Sequence, residues 1–394
     1  MATRPRNRRA RIIAAAADQF HRGGYHRVGT GDIAAAVGIT PGALYYYFRS
    51  KQDLLGEAIL DRLQRFELTL TETEHEPIED MARALVTQAL DHRDFGVLWQ
   101  RESRQLPGPE RDKLRHGMRN VGLRLAVRIG ADRPELTDFQ RELLAWSFLG
   151  IAASPSHSRI EIPRPRFDDV LTGAACSAVA APLPLPTTRA EDPEATDPTL
   201  LAGRASRRQA LLDAAVDLFA RDGFQRVTME EIGAVVGIAG PSIYNHFTGK
   251  PEILDEAVTR GVQWVHFLVT QILRSAASPT QALDALLRGY ITFAIAHSAL
   301  IDVLTGEAHH LPDERRRAAR RTQHEFIADW IRLLSHDRPD SDPTELRAVV
   351  QAELNLINSI ARTQHLAGHP QIVEHLVSIC SAMQRSHPAF EEDQ

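Results

Sequence analysis

Residues 8–58 and 207–257 are two copies of one stretch, 199 positions apart and aligned without a gap. Shared positions include Ala15/Ala214, Ala16/Ala215, Phe20/Phe219, Gly24/Gly223, Ile33/Ile232, Gly38/Gly237, Ile39/Ile238, Tyr45/Tyr244, Phe48/Phe247 and Lys51/Lys250. A repeat at that distance is a duplicated folding unit, because solenoid repeats return every ~20–50 residues. The copies are most telling at residues 40–51, TPGALYYYFRSK, and 239–250, AGPSIYNHFTGK. The chain has three lysines, and two of them are Lys51 and Lys250 at one aligned position. Four of its six tyrosines, Tyr45, Tyr46, Tyr47 and Tyr244, fall in these two stretches.

The hydrophobic period is helical almost everywhere and strand alternation is nearly absent, which predicts an all-α fold. Ile12, Ile13, Ala16 and Phe20 mark one face of a first helix over residues 8–20, closed by Gly23 and Gly24. A short second helix points Ile33 and Val37 inward and stops at Gly38. A third begins with Thr40 as N-cap and Pro41 in the first helical position. Ser50 and Asp53 open a fourth in a capping-box-like arrangement. Two short helices around a glycine turn make a helix-turn-helix. Leu44 and Phe48 face inward at i,i+4, which leaves the other side of the third helix displayed.

Net charge is −5, which by itself argues against a nucleic-acid partner. Its distribution reverses that. Residues 1–51 carry nine basic groups against two acidic ones, residues 204–250 six against five, and the remainder is acidic. Basic ends on acidic bodies suit a protein that meets phosphate with one face only. Cys176 and Cys380 form no disulfide framework and have no metal-ligand spacing. No apolar run approaches the ~18 residues of a membrane span. These features lead to the expectation of a cytoplasmic protein without a membrane partner, metal or cofactor.

The order A-A-x-x-x-F, G-Y, I-A-x-x-x-G-I-T-x-G-x-L-Y-x-x-F-x-S-K-x-x-L-L resembles the DNA-binding head of TetR-family transcriptional regulators. The second copy follows it as A-A-x-x-x-F, G-F, T-M-E-E-I-G-x-x-x-G-I-x-x-x-x-I-Y-x-x-F-x-x-K-x-x-I-L. Gly29 stands where the family prefers threonine, the second copy lacks a Ser/Thr cap at Ala239, and its proline is shifted to Pro241. The repeat continues past the heads. Glu102, Leu106, Pro107 and Arg111 match Glu307, Leu311, Pro312 and Arg316 at an offset of 205. Head and body were therefore duplicated together. The expected domains are a helix-turn-helix head over 1–55, a helical body over 56–181 and a Pro-rich linker over 182–203, then a second head over 204–254 and a second body over 255–394.

The resemblance implies the following roles. Base edges in the first copy are read by Thr40, Pro41, Gly42, Ala43, Tyr45 and Tyr46, and in the second by Gly240, Pro241, Ser242, Tyr244 and Asn245. Lys51 and Lys250, each opening a helix, grip phosphate, while Tyr47, His246, Thr30 and Thr228 are further backbone contacts. The arm bearing Arg4, Arg6, Arg8 and Arg9 is expected to be disordered when free, and either follows phosphates and a minor groove or is a solvated tail. The bodies hold a small-molecule effector among Phe95, Trp99, Trp146 and Phe148 in one copy and Trp264, Phe267, Tyr290 and Phe293 in the other, each of which is otherwise core packing. Glu102 and Glu307, with His309 and His310, are polar anchors of that pocket or exposed turns of helix. Adjacent histidines on a helix point apart, so His309-His310 is no metal site.

In the family the last two body helices pair with those of a second subunit. The candidates here are residues 138–154 with 168–181, and 344–366 with 371–385. Two copies on one chain make an intrachain pseudo-dimer the simplest expectation, with further homodimerisation left open. The recognition stretches GALYYY and PSIYNH differ, so the expected partner is an asymmetric double-stranded DNA operator released by an apolar effector. No GxSxG, phosphate-binding glycine loop or HExxH supports an enzyme. The alternative is that only the first copy reads DNA and the second is a degenerate dimerisation or protein-interaction partner.

Overall fold

The computed structural model describes residues 5–185, 206–238 and 240–385. Arg4, Ala239 and linker residues 186–203 lie outside these, as do the side chains of Arg6 and Gly240. Among the described residues all regular structure is helical. Close contacts divide the chain into two compact units, the first of residues 1–181 with 351–356 and 382–394, the second of 182–350 with 357–381.

The first repeat runs α1 (Pro5–Gly23), α2 (Thr30–Ala36), α3 (Pro41–Leu44), α4 (Lys51–Glu72), α5 (Ile78–Asp91), α6 (Phe95–Gln100), α7 (Gly108–Asp132), α8 (Asp138–Ala153) and α9 (Arg166–Val179). A 3-10 turn at Glu102–Gln105 joins α6 to α7. The second repeat runs α10 (Arg207–Asp222), α11 (Met229–Val236), α12 (Gly240–Ile243), α13 (Lys250–Ser275), α14 (Pro279–Ala296) and α15 (Ser298–Asp302). There follow α16 (Asp313–Asp337), α17 (Pro343–Ala361), α18 (Gln364–Ala367) and α19 (Ile372–Arg385). Between α15 and α16 the chain winds as a π turn, Val303–Glu307, and then a 3-10 turn, Ala308–His310.

The head cores are equivalent residue by residue. Ile12, Phe20, Ile33, Leu44 and Phe48 are at most 2% exposed, as are their counterparts Leu211, Phe219, Ile232, Ile243 and Phe247. Each such side chain contributes roughly 1.5–3 kcal/mol by leaving water. The corner inside each helix-turn-helix is made by glycine in the left-handed region, Gly38 at φ 70° and Gly237 at φ 71°. Caps sharpen the starts: Thr40 Oγ1 accepts Ala43 N at 3.3 Å, Ser50 Oγ accepts Asp53 N at 3.0 Å, and Thr228 with Glu231 forms a complete capping box.

Four local expectations need correction. The arm bearing Arg6, Arg8 and Arg9 is expected to be disordered when free, but α1 is already helical from Pro5. Val37 is half-buried and Ala34 takes its place in the core, because α2 ends at Ala36. The helix expected over 344–366 stops at Ala361, and α18 is separate. Linker residues 182–185 are not a bare spacer: in the second unit Ser378 donates to Pro182 O and Gln371 Nε2 to Leu185 O at 3.3 Å.

Candidate nucleic-acid interface

In each head a buried pair fastens the short third helix, and its other side faces outward. Leu44 and Phe48 anchor α3, while Thr40, Pro41 and Gly42 are exposed and Ala43 is half-buried. Tyr46 is 86% exposed and Tyr45 53%, and half-buried Tyr47 packs edge-on against Tyr46 at 5.3 Å. An aromatic residue this exposed contributes nothing to the head core, so its packing cost is unexplained by stability. In the second head Pro241, Ser242, Tyr244 (52%) and Asn245 are exposed and His246 is half-buried.

The helix starts differ between the heads. Thr228 is absorbed by its own helix, its hydroxyl accepting Glu231 N at 3.1 Å and lying 3.1 Å from Glu231 Oε2. In the first head Gly29 replaces it, Asp32 Oδ2 accepts Gly29 N at 2.7 Å, and Thr30 Oγ1 lies 3.5 Å from Tyr45 Oη. Thr30 thus sits beside the displayed tyrosines, whereas Thr228 is a cap.

The lysines are less free than the sequence implies. Lys250 Nζ donates to Phe224 O at 2.7 Å and Gln225 O at 3.3 Å, with the Phe224 ring 4.8 Å away. Lys51 Nζ lies 4.2 Å over the Tyr25 ring. Desolvation pulls both amines below the usual lysine value, against Glu102 and Asp32 for Lys51 and Glu231 for Lys250. Both side chains close the corner between the first two helices of their own head.

Arg9 is also misplaced as an arm residue. Arg9 Nη2 pairs with Glu57 Oε2 at 2.8 Å and its guanidinium lies 5.2 Å over the Phe48 ring. The aligned Arg208 pairs with Glu256 and stacks 4.1 Å over Phe247. Sequence reasoning missed Arg208, Glu57 and Glu256. The available signal was that arginine and glutamate both recur at the 199 offset.

A family model described as bacterial regulatory proteins, tetR family, matches residues 12–58 and again 211–257. Each head is thus a DNA-binding domain of the TetR-family type. The HTH-type transcriptional repressor KstR2 of Mycobacterium tuberculosis (strain ATCC 25618 / H37Rv) is 31% identical over 111 residues, 28% of this chain and 56% of that protein. The nucleoid occlusion factor SlmA of Actinobacillus pleuropneumoniae serotype 5b (strain L20) is 26% identical over 113 residues, with the same shares. The chain therefore spans about half the length of the curated relatives it matches. Among solved structures, the ketosteroid transcriptional regulator KstR2 of Mycobacterium tuberculosis matches at 23% identity and TM-score 0.37, over 44% of this chain and 89% of that one. A TetR-family regulator from Bordetella parapertussis 12822 matches at 19% and 0.40, over 45% and 92%.

The bodies keep some of the expected pocket residues together. Trp264 stacks on Phe293 at 3.6 Å. Tyr290 packs on Phe326 and Trp330 and donates its hydroxyl to Asn358 Oδ1 at 3.0 Å, and burial pushes that hydroxyl up to about 12. Phe95, Trp99 and Trp146 are half-buried, while Phe148 is core. Phe267 departs from the expectation: it is 64% exposed on α13 and lines no interior. Glu102 and Glu307 depart as well, because both turn away from the aromatic residues and into the heads. Glu102 Oε2 accepts Tyr25 N at 3.1 Å, and Glu307 Oε2 accepts Phe224 N at 3.3 Å. The histidines do not splay apart either. His310 stacks on Phe224 at 4.9 Å, and His309 follows it at 3.9 Å. No single helix among the described residues is long and apolar enough to cross a membrane. Burial raises the Cys176 thiol to about 11, which removes it from thiolate chemistry near neutrality.

Proposed function

We propose that the chain is a two-headed repressor that reads an asymmetric operator in the cytoplasm and releases it when an apolar effector enters a body. The observation that carries this is the pair of unlike outer faces made by α3 and α12 with the turn that follows each. One offers Tyr45 and Tyr46, the other Tyr244 and Asn245. A ~12 Å major groove admits such a helix and presents a different donor and acceptor pattern for each base pair. Identical half-sites need identical readers, and these readers differ. The repressor assignment is supported by the name of the KstR2 relatives. The site comprises Thr30, Thr40, Pro41, Gly42, Ala43, Tyr45, Tyr46 and Tyr47, and in the second head Gly240, Pro241, Ser242, Tyr244, Asn245 and His246. Lys51, Lys250 and Thr228 support it from within the heads, and Arg8 extends it along the backbone.

The two bodies pair within one chain in this proposal. The duplication of head and body together on one chain supports it. The proposed bounds are heads at 1–55 and 204–254, bodies at 56–181 and 255–394, and a linker at 182–203. Light scattering on dilute protein is expected to give one chain per particle. A strict two-chain particle contradicts the pairing.

The operator is tested by selecting duplexes from a random pool with the full chain, then replacing either half-site with a copy of the other. Each mismatched pair costs roughly 1–3 kcal/mol, so the symmetric duplexes should bind at least about tenfold more weakly. Equal affinity for all three duplexes contradicts the asymmetric reading.

A second reading, in which only the first head touches DNA, is favoured by one contrast. Lys250 and Thr228 are tied to their own head, while Thr30 stands beside Tyr45. Asn245→Ala, at an exposed position, separates the two readings. Two-headed binding predicts a loss of affinity of about tenfold and a shorter footprint, whereas an unchanged footprint establishes the single-headed alternative.

A further inference from the structure

We infer that Glu102 and Glu307 are latches through which each body sets the pose of its own head. The inference rests on the proposed DNA reading and adds how that reading is regulated. Both carboxylates belong to the body, just after α6 and in the π turn after α15, and both reach the corner between the first two helices of the head.

The geometry is duplicated although the sequence offset is not. The heads align at 199 and the glutamates at 205, yet Glu102 meets Tyr25 N and Glu307 meets Phe224 N, which are aligned head positions. The insertion has been absorbed so as to keep this contact. Glu102 is 3% exposed and Glu307 5%, so each carboxylate has given up water for that amide and its neighbours. The accepting corner is shaped for it. Gly24 at φ 79° and Gly223 at φ 84° turn the next amide toward the body, and a Cβ at either would stand 3.7 and 3.9 Å from a glutamate oxygen. The α4 and α13 lysines close the opposite side, Lys51 over the Tyr25 ring and Lys250 on Phe224 O. A carboxylate from the body and an ammonium from the long helix therefore clamp one head corner in each repeat.

A hydrogen bond of this kind weakens steeply once its angle falls below about 120°. A shift of the body segment must then either drag the corner along or cost a buried carboxylate one of its hydrogen bonds, and the second is costly. Movement in the body becomes movement of α1–α2, and with it of α3. The two latches are also held differently. Arg101 Nε donates to Glu102 Oε1 at 2.6 Å, whereas Glu307 has His310 Nε2 at 3.5 Å and sits on a π turn. π turns are rare and concentrate at functional sites. The heads are thereby set by separate and unequal devices.

The test starts with full-length wild-type chain and the duplexes it selects from a random pool. Failure to select any duplex defeats the DNA reading itself and is recorded separately. On a selected duplex, Glu102→Ala should bind about tenfold more weakly and lose protection over the half read by the first head only. Amide exchange at Tyr25 should speed up about tenfold while Leu54 in α4 is unchanged. Glu102→Gln keeps an acceptor and should stay within about threefold of wild type, and Glu102→Asp, which withdraws the acceptor by one methylene, should behave like alanine. Glu307→Ala should give the mirror result at Phe224 and the second half. The latch is overturned if the aspartate variant binds and exchanges like wild type. It is also overturned if both halves weaken equally with no selective change at Tyr25 or Phe224.

Discussion

Phe48→Ala should lower the stability of the first head by about 3–5 kcal/mol and erase its half of the footprint. The ring is 2% exposed, and with Leu44 it is the means by which the one-turn helix α3 is held in the head core beside α2. A helix of four residues cannot persist on its own backbone bonds, since nucleation is unfavourable and each added residue contributes little. Arg9 also loses the ring it covers at 5.2 Å. Domain stabilities are about 5–15 kcal/mol, so the loss removes a large share of what holds the head together. The second head has its own anchor, Phe247, 1% exposed beneath Arg208. Phe247→Ala should therefore erase the other half. Denaturant titration with footprinting of both variants checks this. Retention of both halves by either variant would show that α3 and α12 are not the readers.

The second large effect is expected at Arg62. Its guanidinium is 6% exposed, gives Asp94 two bonds of 2.9 Å through Nε and Nη2, and reaches Asp61 at 2.7 Å. It joins the long helix α4 to the start of α6. Burial works against its charge, and Asp94 and Asp61 outweigh that, leaving the group firmly protonated. Arg62→Ala leaves Asp94, itself 11% exposed, without this partner, and breaking one side of a buried pair costs about 3–5 kcal/mol. Arg62→Met with Asp94→Leu should recover most of the loss, since no charge is then left stranded. The acid limb follows from Asp61. Burial alone would raise its carboxyl, but the bonds from Arg65 and Arg62 hold it below the usual value. Its contribution is thus complete at neutral pH and lost as pH falls through that depressed value. The second repeat has Gly261 at the aligned position, where a Cβ would meet Leu304 Cδ1 at 2.7 Å, so no such ion pair fits there. Of the four tryptophans, Trp99 and Trp146 report on the first unit and Trp264 and Trp330 on the second. Arg62→Ala should shift only the first pair in a urea titration.

Much of the head was legible before any coordinates. Helical period picks out Ile12, Phe20, Leu44 and Phe48, and these are core in both repeats. Thr40, Ser50 and the Thr228–Glu231 box are short-range patterns, and they cap the helices as their chemistry dictates. The misplaced residues share a different property. Arg9 reads as part of a free arm because its partner Glu57 is 48 positions away, and Glu102 reads as a pocket anchor or an exposed turn because Tyr25 is 77 positions away. The lysines had the same fate, since their targets are a ring and carbonyls at the far corner of the head. Residue type alone places Phe267 among the interior aromatic residues, and only the orientation of α13 shows that it faces outward.

The sequence by itself determined that this protein is helical, that its head and body were copied together, and that the copies present unlike residues on their third helices. Those properties depend on identity and on spacing within a turn or two, and spacing is written in the chain. Which carboxylate meets which amide, which amine is tied down and which aromatic is left in water were decided only by the tertiary structure. A polar group takes the partner that packing brings within ~3 Å, and packing is settled by the apolar faces of helices far apart in sequence.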